Sequence, residues 1–581
     1  MKNTLLLCLC LLSLPFSAQN RYYVDDTAGG QNTGASWADA LTDLQTALAL
    51  AQSGDEVWVA EGTYLPTTGA DRNISFQPAS GVRLYGGFAG TESAPDERDW
   101  EAHPTVLSGD IGAPGDSTDN TYNVVYLYQP DAGTLLDGFT ICFGNADFGP
   151  GAGNERDRVI CGGGLYMDAG NWDALATIQY CRFWRNTALS YGGGAMVTGS
   201  TAAGVAPKWL HCRFEENRSA GSGGGLARFG GSWEEQGVDF EACDFIGNRA
   251  GFLGGGLYYS DSQGPNTVMI NQCVFEHNFA VSRGGGAFLL MGKAGLSGLV
   301  VNGCDFDSNA STDGAALDVF PNLQDYTGNF SIEDCIFQKN NINYSGEKRV
   351  IVYIGIFGSE NTTASINNAI FEHNQSEESL LIDCYNSNVI VDNVEFYSNQ
   401  ASRIIVTFSA TSQFFTNIQF NSNITGLFYG LDSNQETVSY VKNCICINNE
   451  PINQNIIYFN PTGIFDSLIV TNFTIDDSSI ANEISTVETN FIAQNMVVNS
   501  VNNLFTHRLT QYDISHSSFN LPDCSAFPPN VTCGPGNLFG LDPMFRDTAN
   551  GDYSLLPCSP LRNRGNNAAA AGILTDIAGM P

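Results

Sequence analysis

"CRFEENRSAGSGGGLARF", residues 212–229, holds the reading of this chain. Taken alone, its glycine run with Arg228 behind it has the form of a loop that cradles a phosphate. The rest of the chain argues otherwise. Cys181, Cys212, Cys243, Cys273, Cys304 and Cys335 follow one another at intervals of 31, 31, 30, 31 and 31 residues, each with Phe two positions on and Asn five positions on. Degenerate copies continue from Ala369, Val394, Ile418 and Cys444 at intervals of 25, 24 and 26. The glycine run recurs with them, at Gly192–Gly194, Gly223–Gly225, Gly254–Gly256 and Gly284–Gly286, with a variant at Gly314. A phosphate loop occurs once per site and opens a helix. These triplets lead into LYM, AMV, LAR, LYY and AFL, which read as strands, so the glycines are expected to allow tight bends and close backbone approach.

Within each copy, the Cys and Phe positions are apolar while the residue between them varies. That is the period-two pattern of a strand with one buried face. The Asn at the strand's end is expected to tolerate left-handed backbone in a turn and, in stacked copies, to join an amide ladder. A unit of 24 to 31 residues with several short strands and no helical period predicts one rung of a parallel β-solenoid, the extra residues of the longer copies forming a loop excursion. Stacking at about 4.8 Å places equivalent residues over one another. The repeat cysteines then form a buried column of free thiols, favoured over a disulfide ladder because each has equivalent neighbours on both sides. Cys524 and Cys533 lie outside that column and flank "SAFPPNVT", where a disulfide is expected.

Residues 1–18 combine Lys2, an apolar run and Ala18, and are read as a signal peptide cleaved before Gln19. Cys8 and Cys10 lie inside the apolar run, so lipid on a mature N-terminal Cys is not expected. The mature chain is expected to be soluble and secreted, extracellular or on the cell surface; nothing reads as a membrane helix or an outer-membrane barrel, and no membrane insertion is expected. With 25 basic against 61 acidic residues, a formal net charge of −36, nucleic acid and anionic lipid are excluded as partners. Residues 19–100 are assigned to an N-terminal cap and the first rungs, 101–536 to β-helix repeats and 537–581 to a C-terminal cap region. Leu41, Leu44, Leu48 and Leu50 mark an amphipathic helix, followed by a strand at Glu56–Ala60. Such a helix covers the open edge of the first rung.

The FxxN motif (Phe214 to Asn217) and the GGA/GGL motifs (Gly193 to Ala195, Gly224 to Leu226) resemble the repeats of chlamydial polymorphic outer membrane proteins. The entry segment "YVDDTAGG...SWADALTDLQTALALAQSGDEVWVAEGTY" and "DPMFRDTANGDYSLLPCSPLRNRGNN" are similar to those of bacterial surface β-helix proteins, often cargo of type IX secretion. The resemblance covers nearly the whole mature chain and implies an all-β, right-handed parallel β-helix with an N-terminal capping helix and an irregular C-terminal cap. Right-handedness also agrees with the general chirality of parallel crossovers. It says little about activity, because this scaffold serves adhesins, lyases and hydrolases alike.

Two functional classes are carried forward. The first is an adhesin-like or structural surface protein making multivalent contacts with extracellular glycans or cell surfaces through a long repetitive face. The second is a polysaccharide lyase or glycoside hydrolase. For it, the outward column Arg182, Arg213, Asp244 and Asp305, flanked by Trp184 and His277, is the place to look, against the plainer reading of solvated charges on an exposed strand. Adjacent Glu215 and Glu216 are expected on opposite faces, and they have no carboxylate counterparts in the next copy, Ile246 and Gly247. Tyr166, Tyr258 and Phe288 share one repeat position after the glycines. They form either an exposed sugar-stacking column or a packing surface for the loop excursion. Arg228 stands where other copies carry Met167, Val197, Tyr259, Leu289 and Val319, and is expected to snorkel outward or to mark a register change. No cofactor and no metal are expected, His103, His211, His373, His507 and His516 having no ligand spacing; Ca²⁺ is called for only under the lyase reading. A groove holding Arg with carboxylates would favour the enzyme, and a flat polar face the adhesin.

Overall fold

The computed structural model describes residues 19–149, 155–199, 206–230, 238–261, 267–291, 298–321, 329–342, 350–355 and 363–376, and shorter runs from 380 to 565. Nearly every strand pairs in parallel with its equivalent in the next rung, and the described strands fall into sheets of 31, 13 and 7 strands plus one antiparallel hairpin near the C-terminus. This is a right-handed parallel β-helix. One rung is typical: a first strand Thr177–Gln179, a second Arg182–Trp184, a two-residue third Thr187–Ala188 and a fourth Ala195–Thr198. The register is that of the sequence repeat, since Arg182 pairs with Arg213, Arg213 with Asp244, and Asp244 with Val274. The loop excursions expected after the fourth strand fall largely outside the described residues.

Three interior columns hold the rungs together. The repeat phenylalanines from Phe183 to Phe420 stack face to face at 4.7 to 5.0 Å. The repeat asparagines from Asn186 to Asn423 form a continuous amide ladder. Each donates its backbone N–H and its Nδ2 to the Oδ1 of the next, as Asn217 does to Asn248 at 3.1 and 3.0 Å, and Nδ2 also reaches a carbonyl of the preceding rung. The Asn itself is not the left-handed residue that the sequence suggested. Positive φ belongs to the residue before it, at Arg185, Glu216, His277 and Ser308, which frees the Asn side chain to turn inward. The third column is the thiols. Cys181, Cys212, Cys243, Cys273, Cys304 and Cys335 are buried and free, and burial pushes the Cys181 thiol up to about 12. Cys533 is disulfide-bonded, while Cys524, its expected partner, lies outside the described residues.

The glycine triplets make the bend into the fourth strand. Gly192, Gly223, Gly254 and Gly284 take φ near +65°, and a Cβ on Gly224 would stand 2.5 Å from the Gly255 carbonyl oxygen. The N–H groups of Gly223, Gly224 and Gly225 all donate to carbonyls of the next rung, so none is left to hold a phosphate. At the N-terminal end the helix is Leu44–Leu50, capped by the Asp43 carboxylate and burying Leu44, Ala47 and Leu48 against the first strands. Leu41 joins that core from outside the helix, whereas Leu50 is exposed. No helix among the described residues is long and apolar enough to cross a membrane.

Arg228 departs from expectation. It is 1% exposed, lies in the interior column between Val197 and Tyr259, and sets its guanidinium carbon 4.5 Å from the centre of the Tyr259 ring. The strand keeps its register through this position, so inward alternation, not side-chain length, decides where the Arg goes.

Candidate functional site

The corner between the first and second strands is formed in six successive rungs by one left-handed residue: Gly138, Tyr180, His211, Ala242, Gln272 and Gly303, with φ between 50° and 82°. Side chains at this corner project from the solenoid and stack at the rung spacing. Tyr180 and His211 are parallel within 2°, with ring centres 4.9 Å apart. Below Tyr180, where Gly138 has no side chain, Trp100 comes in from the N-terminal loop to 4.4 Å from the Tyr180 ring. That loop is pinned by Arg98, whose guanidinium meets the Asp137 carboxylate at 2.5 Å and also donates to the Gly86, Asp137 and Pro95 carbonyls. Both side chains of this ion pair are nearly buried, so Trp100 is held by an anchored wall.

Beside the ring stack runs the outward face of the second strand. Arg182 donates to the Glu215 carboxylate at 2.5 and 2.8 Å, and Arg213 approaches the same carboxylate through Nε at 3.4 Å. Asp244 follows on the next rung; partial burial raises its carboxyl above the usual range, against the pull of Arg213. Trp100, Tyr180, His211, Arg182, Arg213 and Asp244 share one open groove of about 570 Å³. Glu215 and Glu216 both face outward, contrary to strict alternation. The left-handed backbone at Glu216 turns its side chain back toward Arg185, which it meets at 2.6 Å.

The structure thus brings Arg182, Arg213 and Asp244 together. Trp184 lies under the Arg182 and Arg185 guanidinium groups, while Asp305 and His277 belong to later rungs, beside Gln338 and Glu276. The other three candidates lie elsewhere. Tyr166, Tyr258 and Phe288 are only 6, 7 and 4% exposed and do not form an open column. They pack on the outside of the fourth strands with Ile160, Met196, Ala227 and Phe229, and the Tyr166 hydroxyl donates to the Arg156 carbonyl at 2.7 Å. Neighbouring rungs and corner residues such as Tyr191 and Leu253 bury these rings, while the loop excursion expected to pack on them lies largely outside the described residues. The sequence reading missed Trp100, Tyr180 and His211. The last two were findable, because each directly precedes a repeat Cys, whereas nothing in the repeat marks Trp100.

No protein-family model matches the chain, and no curated protein matches it. Among solved structures, a GH136 lacto-N-biosidase from Eubacterium ramulus is similar at 11% identity, over 84% of this chain and 67% of that one, with a TM-score of 0.15. A likeness of that degree carries no argument about site or substrate.

Proposed function

We propose that this is an exported, surface-exposed or extracellular β-helix protein that binds a polysaccharide in the groove between Trp100 and Asp244, and whose repetitive outer faces add weak multivalent contacts. The observation that carries the reading is the joining of a ring stack to an Arg pair in one open groove. Aromatic faces take up the apolar faces of sugar rings, and oriented polar groups at the margin select their substituents. The anchored wall under Trp100 supports the reading, since a platform held in place loses little entropy on binding.

A second reading, cleavage of the bound polysaccharide by a lyase or hydrolase, is favoured by Asp244, a carboxyl with a raised pKa beside Arg213 in the groove. One experiment separates the two. Purified protein, Trp100→Ala and Asp244→Asn are compared on neutral and acidic polysaccharides by affinity electrophoresis and by release of reducing ends, with and without Ca²⁺. Binding that weakens in Trp100→Ala, with no release, is expected. Release abolished in Asp244→Asn would establish the enzyme instead, and the absence of both binding and release would remove the groove as a carbohydrate site.

A further inference from the structure

We infer that the groove takes an acidic sugar residue, its ring stacked on His211 over Ala242 and its carboxylate or sulfate ester held by Arg213. This rests on the groove being the carbohydrate site and adds the chemistry of what enters it. The corner column is the starting point. Trp100 and His211 cover the two faces of Tyr180, but the next rung contributes only Ala242, so among the described residues the far face of the exposed His211 ring has no ring against it. Rungs repeat at about 4.8 Å, close to the separation of stacked rings. Between His211 and Gln272 the column therefore has a gap one ring deep with a methyl group as its floor, and Ala242 lines the groove together with His211, Arg213 and Asp244. A pyranose ring in that gap continues the stack that the protein leaves unfinished.

The charge at the margin selects the substituent. Glu215 is engaged chiefly by Arg182, through two short contacts, and meets Arg213 only at Nε. The Arg213 Nη1 and Nη2 groups have no partner among the described residues, and its side chain is 48% exposed. A guanidinium with its outer edge open binds planar carboxylate or sulfate oxygens through paired N–H donors. Arg213 belongs to the same rung as His211, so the two groups present a ring face and an anion site side by side. Asp244, one rung on, offers an acceptor for a sugar hydroxyl.

The test is isothermal titration of the full protein with polygalacturonate and its methyl-esterified form, and with a sulfated galactan and its desulfated form. These pairs keep the backbone and remove the charge, and they distinguish carboxylate from sulfate as its source. The charged member of at least one pair is expected to bind at least about tenfold more tightly, the preference disappearing in Arg213→Gln and weakening with added salt. Ala242→Phe fills the gap and is expected to cut affinity at least about tenfold. Aromatic rings already occupy this left-handed corner at Tyr180 and His211, and Ala242→Gln, which copies the next rung, is the second variant should the Phe variant fail to fold. Equal binding of charged and neutral forms, or full affinity in a folded Ala242 variant, overturns the inference and leaves the groove's carbohydrate reading standing if Trp100→Ala still weakens binding. Failure of every polymer to bind overturns both.

Discussion

Two corner columns flank the second strand of every rung, and they are built on opposite principles. The corner after the strand turns its Asn inward and repeats it without change from Asn186 to Asn423, because each amide must meet the next at about 3 Å. The corner before the strand turns outward and changes from rung to rung along the groove, from Tyr180 to His211, Ala242, Gln272 and Gly303, settling only later to Asn368, Asn393 and Asn417. Each outward residue needs only to tolerate a left-handed backbone, so its side chain is free to differ. A solenoid can therefore place a one-off site on a strictly repetitive frame, by varying the column that nothing inside depends on.

The sharpest way to break this comparison is to cut both columns. Asn248→Ala removes four hydrogen bonds and leaves the Asn217 N–H and the Phe214 carbonyl without their amide partner. It is expected to cost about 3–5 kcal/mol in urea unfolding, whereas His211→Ala at the outer corner should cost no more than about 0.5 kcal/mol. Equal losses would show that the outer column also carries the fold.

The thiol column gives a smaller effect. Cys273→Ala removes a thiol that donates to the Asn271 carbonyl and accepts from the Cys243 N–H, and should cost about 1 kcal/mol. Because burial moves the Cys181 thiol from 9.0 to about 12, the unfolded chain releases this proton first as pH rises. The associated stability is complete below about pH 9 and is lost between pH 9 and 12, and Cys181→Ala should flatten that fall in a pH series of unfolding midpoints. Alkylation of the column at pH 8 should require denaturant, as the neutral buried thiol is a poor nucleophile.

The smallest effect is expected at the groove's margin. Glu215→Gln loosens a half-exposed ion pair and should change stability by no more than about 0.5 kcal/mol. If the groove is the binding site, the same substitution should alter glycan affinity several-fold by releasing Arg182, and affinity unchanged would separate the Arg pair from function.

Much of the frame was legible because the solenoid copies its local rule. The interval between cysteines gives the rung, the alternation around Phe214 gives the buried face, and the recurrent glycines mark the bend. The candidate site was only half legible. Arg182, Arg213 and Asp244 follow from their shared strand position, and pairing along the chain axis brings them together. Reading Tyr166, Tyr258 and Phe288 as exposed failed because alternation says which way a side chain points but not what lies across it. Arg228 failed for the converse reason, since its length suggested escape while its strand position held it inside.

By itself, then, the sequence determined that this chain is a stack of equivalent rungs with a Cys, Phe and Asn interior, since a periodic interior has to be written into every copy. Only the tertiary structure decided where a groove opens. It depends on Arg98 holding Trp100 against Tyr180, a contact between residues 80 positions apart that no repeat contains. Local periodicity fixes what each rung contributes, and the packing of a non-repeating loop against one end fixes which rungs line the groove.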